Sequence, residues 1–261
     1  MLKKVLRDLA DVLFPPRCQS CRTIAEKLTN DLFCPACEKK IQYIRSPLCP
    51  VCGAPFPDSE GSDHLCGDCL TAPKPFAVAR SVAVFNGILL EAIHAFKYHN
   101  KTGLGTGLGR MMTCDSYAGM DMQGYTMIMP VPLHVRRLRE RGFNQSLILA
   151  KVLSARYAIP MDFVTLRREK DTPPQTMMGR KERQANIKGA FGVADKERVG
   201  KQHVLLIDDV YTTGSTLAEC TRVLLNNGAA QVGVLTLARA VKDGKMNPVT
   251  GWGGENEQNC S

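Results

Sequence analysis

The feature that most constrains this chain is the run Val204-Leu205-Leu206-Ile207, four large apolar residues in succession, followed at once by Asp208 and Asp209. A strand with one wet face alternates apolar and polar side chains. A run apolar on both faces must be covered on both, as in parallel sheets whose crossover helices pack above and below. The residues after the acids, Tyr211-Thr212-Thr213-Gly214-Ser215-Thr216, form a turn-rich segment, and helical periodicity then runs over 216–227, with Gly228 at the left-handed C′ position. Strand, turn and helix therefore follow one another without a spacer. The rest of the carboxy-terminal two-thirds has the same grammar: residues 77–85, 126–131, 163–166, 203–207 and 232–237 read as strands, and 88–98 and 143–159 as helices. The expected class is α/β, a parallel sheet with helices on both faces, in which ligands bind at the carboxyl ends of the strands.

Two adjacent carboxylates at such an edge repel each other unless a cation or hydroxyl engages them. The turn after them aims several N–H groups and hydroxyls at one point beside the positive end of a helix dipole, which suits a phosphate monoester. Diol-binding carboxylates beside a phosphate cradle match a ribose 5-phosphate better than a nucleoside triphosphate, since Gly214 stands alone rather than in GxxxxGK. In the competing structural reading, an aspartate caps the helix and the threonines merely satisfy turn amides. Two acids followed by Thr-Thr-Gly-Ser-Thr weigh against it.

The cysteines are the second constraint. Of 11 in the chain, eight fall before residue 70 in four CxxC pairs: Cys18/Cys21, Cys34/Cys37, Cys49/Cys52 and Cys66/Cys69. A CxxC turn supplies half of a tetrahedral zinc site, and a second CxxC about a dozen residues on closes it. Sequential pairing, 18/21 with 34/37 and 49/52 with 66/69, is the simplest arrangement; an interleaved cross-brace uses the same residues and stays open. Four thiolates leave no coordination position for water, so two structural zinc ions are expected. The region has few large apolar residues, and each metal would supply on the order of 10–16 kcal/mol of folding free energy. Gly53 is expected at positive φ in its knuckle, and His64 reads as a loop histidine rather than a ligand. Redox CxxC motifs come singly, not four at ribbon spacing.

Residues 71–75 carry two prolines and read as a linker. The expected organisation is an amino-terminal helix and double ribbon over 1–70, an α/β domain over 77–243 and a disordered tail over 244–261. Residues 1–14 suit an amphipathic helix and lack the unbroken apolar core of a secretory signal. No stretch approaches the roughly 18–20 apolar residues of a membrane span, so a cytoplasmic location is expected. The formal net charge of +9 suits an anionic partner, whether nucleic acid, nucleotide or phosphate, without choosing among them.

The segment VLLIDDVYTTGSTL (204–217) resembles the PRPP motif of type I phosphoribosyltransferases. The resemblance implies that Asp208 and Asp209 hold the ribose 2′- and 3′-hydroxyls of PRPP. Tyr211, Thr212, Thr213, Gly214, Ser215 and Thr216 would cradle its 5-phosphate, with Mg²⁺ on the pyrophosphate. Together with PPRCQSC (15–21) and its three further CxxC pairs, VPLHVRRLRERGFNQS (131–146) and TPPQTMMGRKERQANIKGAF (172–191), the chain resembles the ComF family of double-zinc-ribbon phosphoribosyltransferase-like proteins over nearly its whole length. That resemblance implies a role in competence and the use of imported DNA. Many members carry the name amidophosphoribosyltransferase, but no glutamine-hydrolysing domain is recognisable in this sequence.

By position in such a fold, pyrophosphate contacts fall on Pro132, Leu133 and His134 with Arg136 and Arg137, and a mobile flap on about 167–188. Arg141, Asn144, Gln145, Gln175, Arg180, Arg183 and Asn186 lie in the family-matching blocks and are expected at the site. Lys97 is a further phosphate candidate, against the plain reading of a helix-end lysine favoured by the dipole. The arginines also suit nucleic-acid phosphates or a solvated helix face. Two functional readings result. One is an enzyme transferring phosphoribosyl from PRPP to an unspecified acceptor. The other is a non-catalytic module that keeps the pocket as a sensor while the ribbons meet single-stranded DNA or proteins of the DNA-uptake machinery. For base stacking the ribbon region offers few aromatics: Phe14, Phe33, Tyr43 and Phe56.

Overall fold

The computed structural model describes residues 15–25, 27–57, 61–98, 102–113, 117–171 and 187–241. The expected amino-terminal helix (1–14), Gln175, Arg180, Arg183 and Asn186 with the middle of the expected flap, and the tail over 244–261 lie outside the described residues. In chain order the elements are α1 (Pro35–Glu38), α2 (Gly67–Thr71), β1 (Val78–Val84), α3 (Gly87–Tyr98), α4 (Thr102–Met111), β2 (Met127–Pro130), α5 (Val135–Arg141), α6 (Gln145–Tyr157), β3 (Leu166–Arg168), β4 (Phe191–Val193), α7 (Lys196–Val199), β5 (His203–Tyr211), α8 (Ser215–Asn226) and β6 (Gln231–Arg239).

The main sheet has the order β1-β6-β5-β2, and every pair in it is parallel. The apolar run of β5 divides by alternation, as a strand buried on both faces must. Leu205 and Ile207 join a core with Leu89, Phe96, Leu108 and Leu149 of α3, α4 and α6. Val204 and Leu206 join a second core with Leu217, Cys220 and Leu224 of α8. Each fully buried aliphatic side chain stabilises the fold by roughly 1.5–3 kcal/mol, and the central strand feeds both layers. Cys220 is thus a core residue, as its place in a helix suggests.

The cysteine-rich segment wraps one edge of this sheet. Residues 42–44 run antiparallel to β1, with Ile44 N–H donating to Val82 O at 2.9 Å and Val84 N–H to Gln42 O at 2.8 Å. Further along β1, Ala79 N–H donates to Val51 O at 2.7 Å. These contacts cover an edge that would otherwise present unpaired backbone groups. They also carry the chain across the edge: Cys18, Leu32, Phe33 and Cys37 pack in the first core, while Cys49, Cys52 and Cys69 pack in the second.

Three features depart from the sequence reading. The strand expected at 163–166 begins only at Leu166. Phe163 is 54% exposed and Val164 46%, in a turn where Val164 and Thr165 N–H both donate to Asp162 Oδ1 at 2.9 Å. The strand expected to stop at Ile207 runs on to Tyr211, because β6 pairs alongside it, with Asp208 opposite Thr236 and Tyr211 opposite Arg239. Helix α4 was not foreseen, since Gly103, Gly105, Gly107 and Gly109 each disfavour helix by about 1 kcal/mol relative to alanine. Close approach explains three of them. A Cβ at Gly105 would lie 2.5 Å from Ile148, at Gly107 2.5 Å from Asn30 O and Leu32, and at Gly109 2.7 Å from Val152. The helix is narrow so that α6 and the first cysteine region can both touch it.

Candidate functional site

The site is assembled where β5 and β2 end side by side. Val131 N–H donates to Ile207 O at 2.9 Å, so the loop carrying Pro132, Leu133 and His134 leaves the sheet beside Asp208. Asn144 ties the next helix to that loop: its Nδ2 donates to Val131 O at 3.1 Å and its Oδ1 caps α6 by accepting from Ser146 N–H at 3.0 Å. Ser146 Oγ then donates to Asp208 Oδ1 at 2.8 Å, and the Asp209 N–H donates to the same oxygen at 2.9 Å. From the last turn of α3, Lys97 Nζ pairs with Asp209 Oδ2 at 2.7 Å.

These contacts answer the repulsion that two adjacent acids impose, but only in part. Burial, then the neighbouring Asp209, pushes the Asp208 carboxyl up to about 7, against the opposing hydrogen bonds of Ser146 and the Asp209 amide. Near neutral pH this carboxyl is poised between its two forms. A group so placed spends folding free energy to hold a chemical state, which is typical of binding and catalytic positions.

The loop after β5 turns on Gly214, whose φ of +73° places it in the left-handed region and which precedes the first residue of α8. A Cβ there would also lie 2.3 Å from the Tyr211 hydroxyl. Thr213 and Ser215 hydroxyls are 2.9 Å apart, the Ser215 N–H donates to Thr213 Oγ1 at 3.4 Å, and the N-cap of α8, Gly214, has no side chain to offer the next amides. The first N–H groups of a helix have no intrahelical partner, so amides and hydroxyls are gathered where an anion is favoured. Thr212 is exposed and Thr216 half-buried. The Tyr211 side chain does not face outward with them: it is 2% exposed, and its ring lies beneath the loop.

The basic candidates are dispersed. On α5, Arg136 is exposed and pairs with Glu140 and Asp171, Arg139 is exposed, and Arg137 is half-buried. His134 caps α5 and lies 3.5 Å from Asp171. Arg141 stacks over the exposed Tyr98 ring at 5.3 Å and donates to Gln145 Oε1 at 3.2 Å. Gln145 is buried, and its Nε2 has no hydrogen-bond partner among the described residues. Of the expected flap, residues 167–171 and 187–188 are described; it leaves from β3, which pairs antiparallel with β4 just beyond its far end, Leu166 opposite Val193. Two residues that sequence reasoning passed over belong to the site's frame. Ser146 closes a matching block but is an ordinary serine in sequence. Arg239 lies 22 residues beyond the motif, and strand pairing brings it to Tyr211.

The cysteines form two separate sets, Cys18, Cys21, Cys34 and Cys37, and Cys49, Cys52, Cys66 and Cys69, with the sulfurs of each set all within 4.8 Å of one another. The pairing is therefore sequential, not interleaved. Cys21 and Cys34 sulfurs are 3.7 Å apart and those of Cys52 and Cys66 3.6 Å. A tetrahedron with Zn–S bonds of 2.3 Å has edges of about 3.8 Å, so each set fits one structural zinc ion. His64 belongs to neither set and stacks on Phe56 with ring centroids 3.8 Å apart.

Similarity to known proteins agrees with both halves. Residues 9–70 match the double zinc ribbon domain and residues 144–252 the phosphoribosyl transferase domain. The chain is 34% identical over 212 residues to DNA utilization protein YhgH of Escherichia coli strain K12, covering 80% of this chain and 90% of that one. It is 32% identical over 228 residues to Competence protein F of Haemophilus influenzae, covering 86% and 97% respectively. To Competence protein ComFC of Bacillus subtilis strain 168 it is 28% identical over 218 residues, covering 81% and 85%. Among solved structures, orotate phosphoribosyltransferase from Aeropyrum pernix superposes with a TM-score of 0.33 at 19% identity, over 54% of this chain and 63% of that one. The glutamine PRPP amidotransferase from B. subtilis gives 0.34 at 18% identity over 49% of this chain, which spans only 25% of that enzyme. Ribbons, parallel sheet and loop together define a double-zinc-ribbon protein with a phosphoribosyltransferase-type domain. Within that class, the chain belongs to the ComF family. Among the described residues no helix is long and apolar enough to cross a membrane.

Proposed function

We propose that this protein binds PRPP, or another ribose 5-phosphate compound, together with Mg²⁺ at the carboxyl end of β5, and transfers the phosphoribosyl group to an acceptor nitrogen. The observation that carries this reading is the adjacency of a buried acid pair, engaged by Ser146 and Lys97, to a hydroxyl-rich helix start. In it, Asp208 and Asp209 accept from the 2′- and 3′-hydroxyls, while Thr212, Thr213, Ser215 and Thr216 with the loop amides hold the 5-phosphate. The hard carboxylate oxygens suit Mg²⁺, which when bound neutralises charge on the pyrophosphate leaving group. The acceptor's lone pair forms the new bond to the anomeric carbon as the bond to pyrophosphate breaks, and the acceptor gives up its proton. The chain's own contribution is positioning and fixed dipoles, with Ser146 and Lys97 holding the acids in place.

Calorimetric titration of the zinc-loaded protein with PRPP, with and without Mg²⁺, beside the double variant Asp208→Asn/Asp209→Asn, tests this. Mg²⁺-dependent binding that the variant loses supports the reading. Absence of binding by well-folded wild-type protein overturns it.

A second reading concerns partners. Helix α5 presents the exposed Arg136 and Arg139 beside Arg137, and the relatives are named for DNA utilization and competence. We infer that these arginines contact single-stranded DNA phosphates, an interaction that weakens steeply with salt. Affinity unchanged in the triple alanine variant at these positions would sink that inference. Eight thiols set for metal rather than disulfides fit a reducing, cytoplasmic compartment.

A further inference from the structure

Arg239, the last residue of β6, touches both the loop and the second cysteine cluster. It lies opposite Tyr211 in the parallel register, and its guanidinium carbon sits 4.1 Å from the centroid of the Tyr211 ring. From there its Nη1 donates to Cys52 O at 2.8 Å and its Nη2 to Cys52 Sγ at 3.6 Å. The Tyr211 ring in turn forms the floor under Gly214, close enough that a Cβ would lie 2.3 Å from its hydroxyl. Phe76 meets the ring edge-on at 6.4 Å, and Cys49, Cys52, Cys69, Phe76, Tyr211 and Leu217 belong to one packed core. The first cluster lies in the other core, across the sheet.

The geometry makes this contact depend on how Cys52 is held. A zinc ion bound by Cys49, Cys52, Cys66 and Cys69 would clamp the four sulfurs together, and with them the Cys52 carbonyl and sulfur that receive the Arg239 fork. Without that clamp the anchor of the fork loses its fixed place, and the guanidinium no longer braces the Tyr211 ring beneath Gly214.

We propose that Arg239 is a positioning residue coupling the second cluster to the phosphate loop, so that zinc at Cys49, Cys52, Cys66 and Cys69 sets the loop's affinity for a phosphorylated ribose while zinc at the first cluster does not. The ligand half of this statement rests on the proposed ribose-phosphate reading; the coupling half does not.

The test uses the full chain loaded with two zinc ions. Zinc is withdrawn stepwise with a mercurial reagent, and the emptied cysteines are mapped by alkylation and mass spectrometry. At each step amide hydrogen exchange is read over residues 211–216, with 204–207 as the internal check on folding, and ribose 5-phosphate affinity is measured by calorimetry. Emptying the second cluster is expected to raise loop exchange and to weaken ribose 5-phosphate binding by about tenfold or more, the scale of one lost charge-assisted contact. Emptying the first cluster alone should change neither. Arg239→Gln should open the loop with both zinc ions retained, and Arg239→Lys, which keeps the charge without the planar fork, should fall between. Loop protection that follows the first cluster, or follows neither, overturns the coupling, as does wild-type protection in Arg239→Gln. If residues 204–207 also lose protection in that variant, the stepwise titration of wild-type protein decides by itself. Should zinc-loaded wild-type protein bind neither ribose 5-phosphate nor PRPP, the functional reading falls, and the exchange measurement still tests the coupling.

Discussion

The two cysteine clusters repeat one local design in two different surroundings. In the first, Cys18 N–H donates to Thr23 O at 3.0 Å and Arg22 N–H to Cys18 O at 3.0 Å; in the second, Cys49 N–H donates to Ala54 O and Gly53 N–H to Cys49 O, both at 2.8 Å. Both knuckles place the residue after the second cysteine in the left-handed region, Arg22 at φ +62° and Gly53 at φ +67°. There the likeness ends. Arg22 and Cys21 are exposed, so a side chain at that turn points into open space. Gly53 backs onto β1, where a Cβ would lie 2.5 Å from Ala79 O. The second cluster also has two buried arginines close by, Arg239 on Cys52 and Arg80 donating to Pro50 O at 3.0 Å. Both ligand sets reach a core, but one knuckle turn opens to solvent while the other is pressed against β1 beside the site's frame. What a zinc knuckle does is therefore decided by what its backbone turn is pressed against.

The strongest test of that difference removes one ligand from each. Cys52→Ser is expected to lose its zinc, strip Arg239 of its partner and destabilise the protein by several kcal/mol, on the order of a third of a structural site's binding energy. Cys21→Ser should lose its zinc with a smaller fall in melting temperature, because no buried cation depends on it. Equal losses in parallel melts and zinc assays would break the contrast.

Next in size is the turn residue. Gly53→Arg forces a side chain into the Ala79 carbonyl as well as a strained φ, and about 3 kcal/mol or more of stability should go. Denaturant unfolding checks it; a loss no larger than that of an ordinary surface substitution would mean the knuckle can lift off β1.

The acid pair gives the second half of the molecule a pH signature of its own. With its folded pKa raised to about 7 from an ordinary value of 3.8, Asp208 binds its proton more tightly in the folded state. Its contribution is fully present below about pH 4 and is lost as pH rises towards and through 7. Asp208→Asn keeps an oxygen for Ser146 and the Asp209 amide without the charge. It should therefore stabilise the protein at pH 8 by on the order of 2–3 kcal/mol, with the gain shrinking towards pH 5, while abolishing ribose-phosphate binding. A variant less stable than wild type at pH 8 would show that the ionised form is held more favourably than burial implies. The smallest effect is the reverse swap in the first knuckle. Arg22→Gly relieves a left-handed residue in open space and should add about 0.5–1 kcal/mol, a change in melting temperature that Gly53→Ala must not reproduce.

Much of this was legible in advance, and the reasons differ by region. The alternation of β5 into two cores follows from four consecutive apolar residues, and the eight ligands follow from spacing alone. The turn at Gly214 was likewise legible, since strand, acids and helix adjoin in sequence. Legibility failed where long-range packing overrode local preference. The glycines of α4 argue against a helix, yet they are what allow Phe96, Ile148 and Val152 to approach it. The exposed pair Phe163 and Val164 has strand-like composition, but Asp162 folds that stretch into a turn.

The sequence by itself determined the α/β class, the eight cysteines of the two zinc sites and the strand–acids–loop–helix segment, because periodicity, CxxC spacing and the order of that segment are all local. Only the tertiary structure decided which cysteines share a metal, how far β5 extends, which hydroxyl and which lysine hold the acids, and that Arg239 lies between Cys52 and Tyr211. Those are matters of register between strands far apart in the chain. Register is set by how the two cores close over the sheet, a sum of many contacts that no single segment contains.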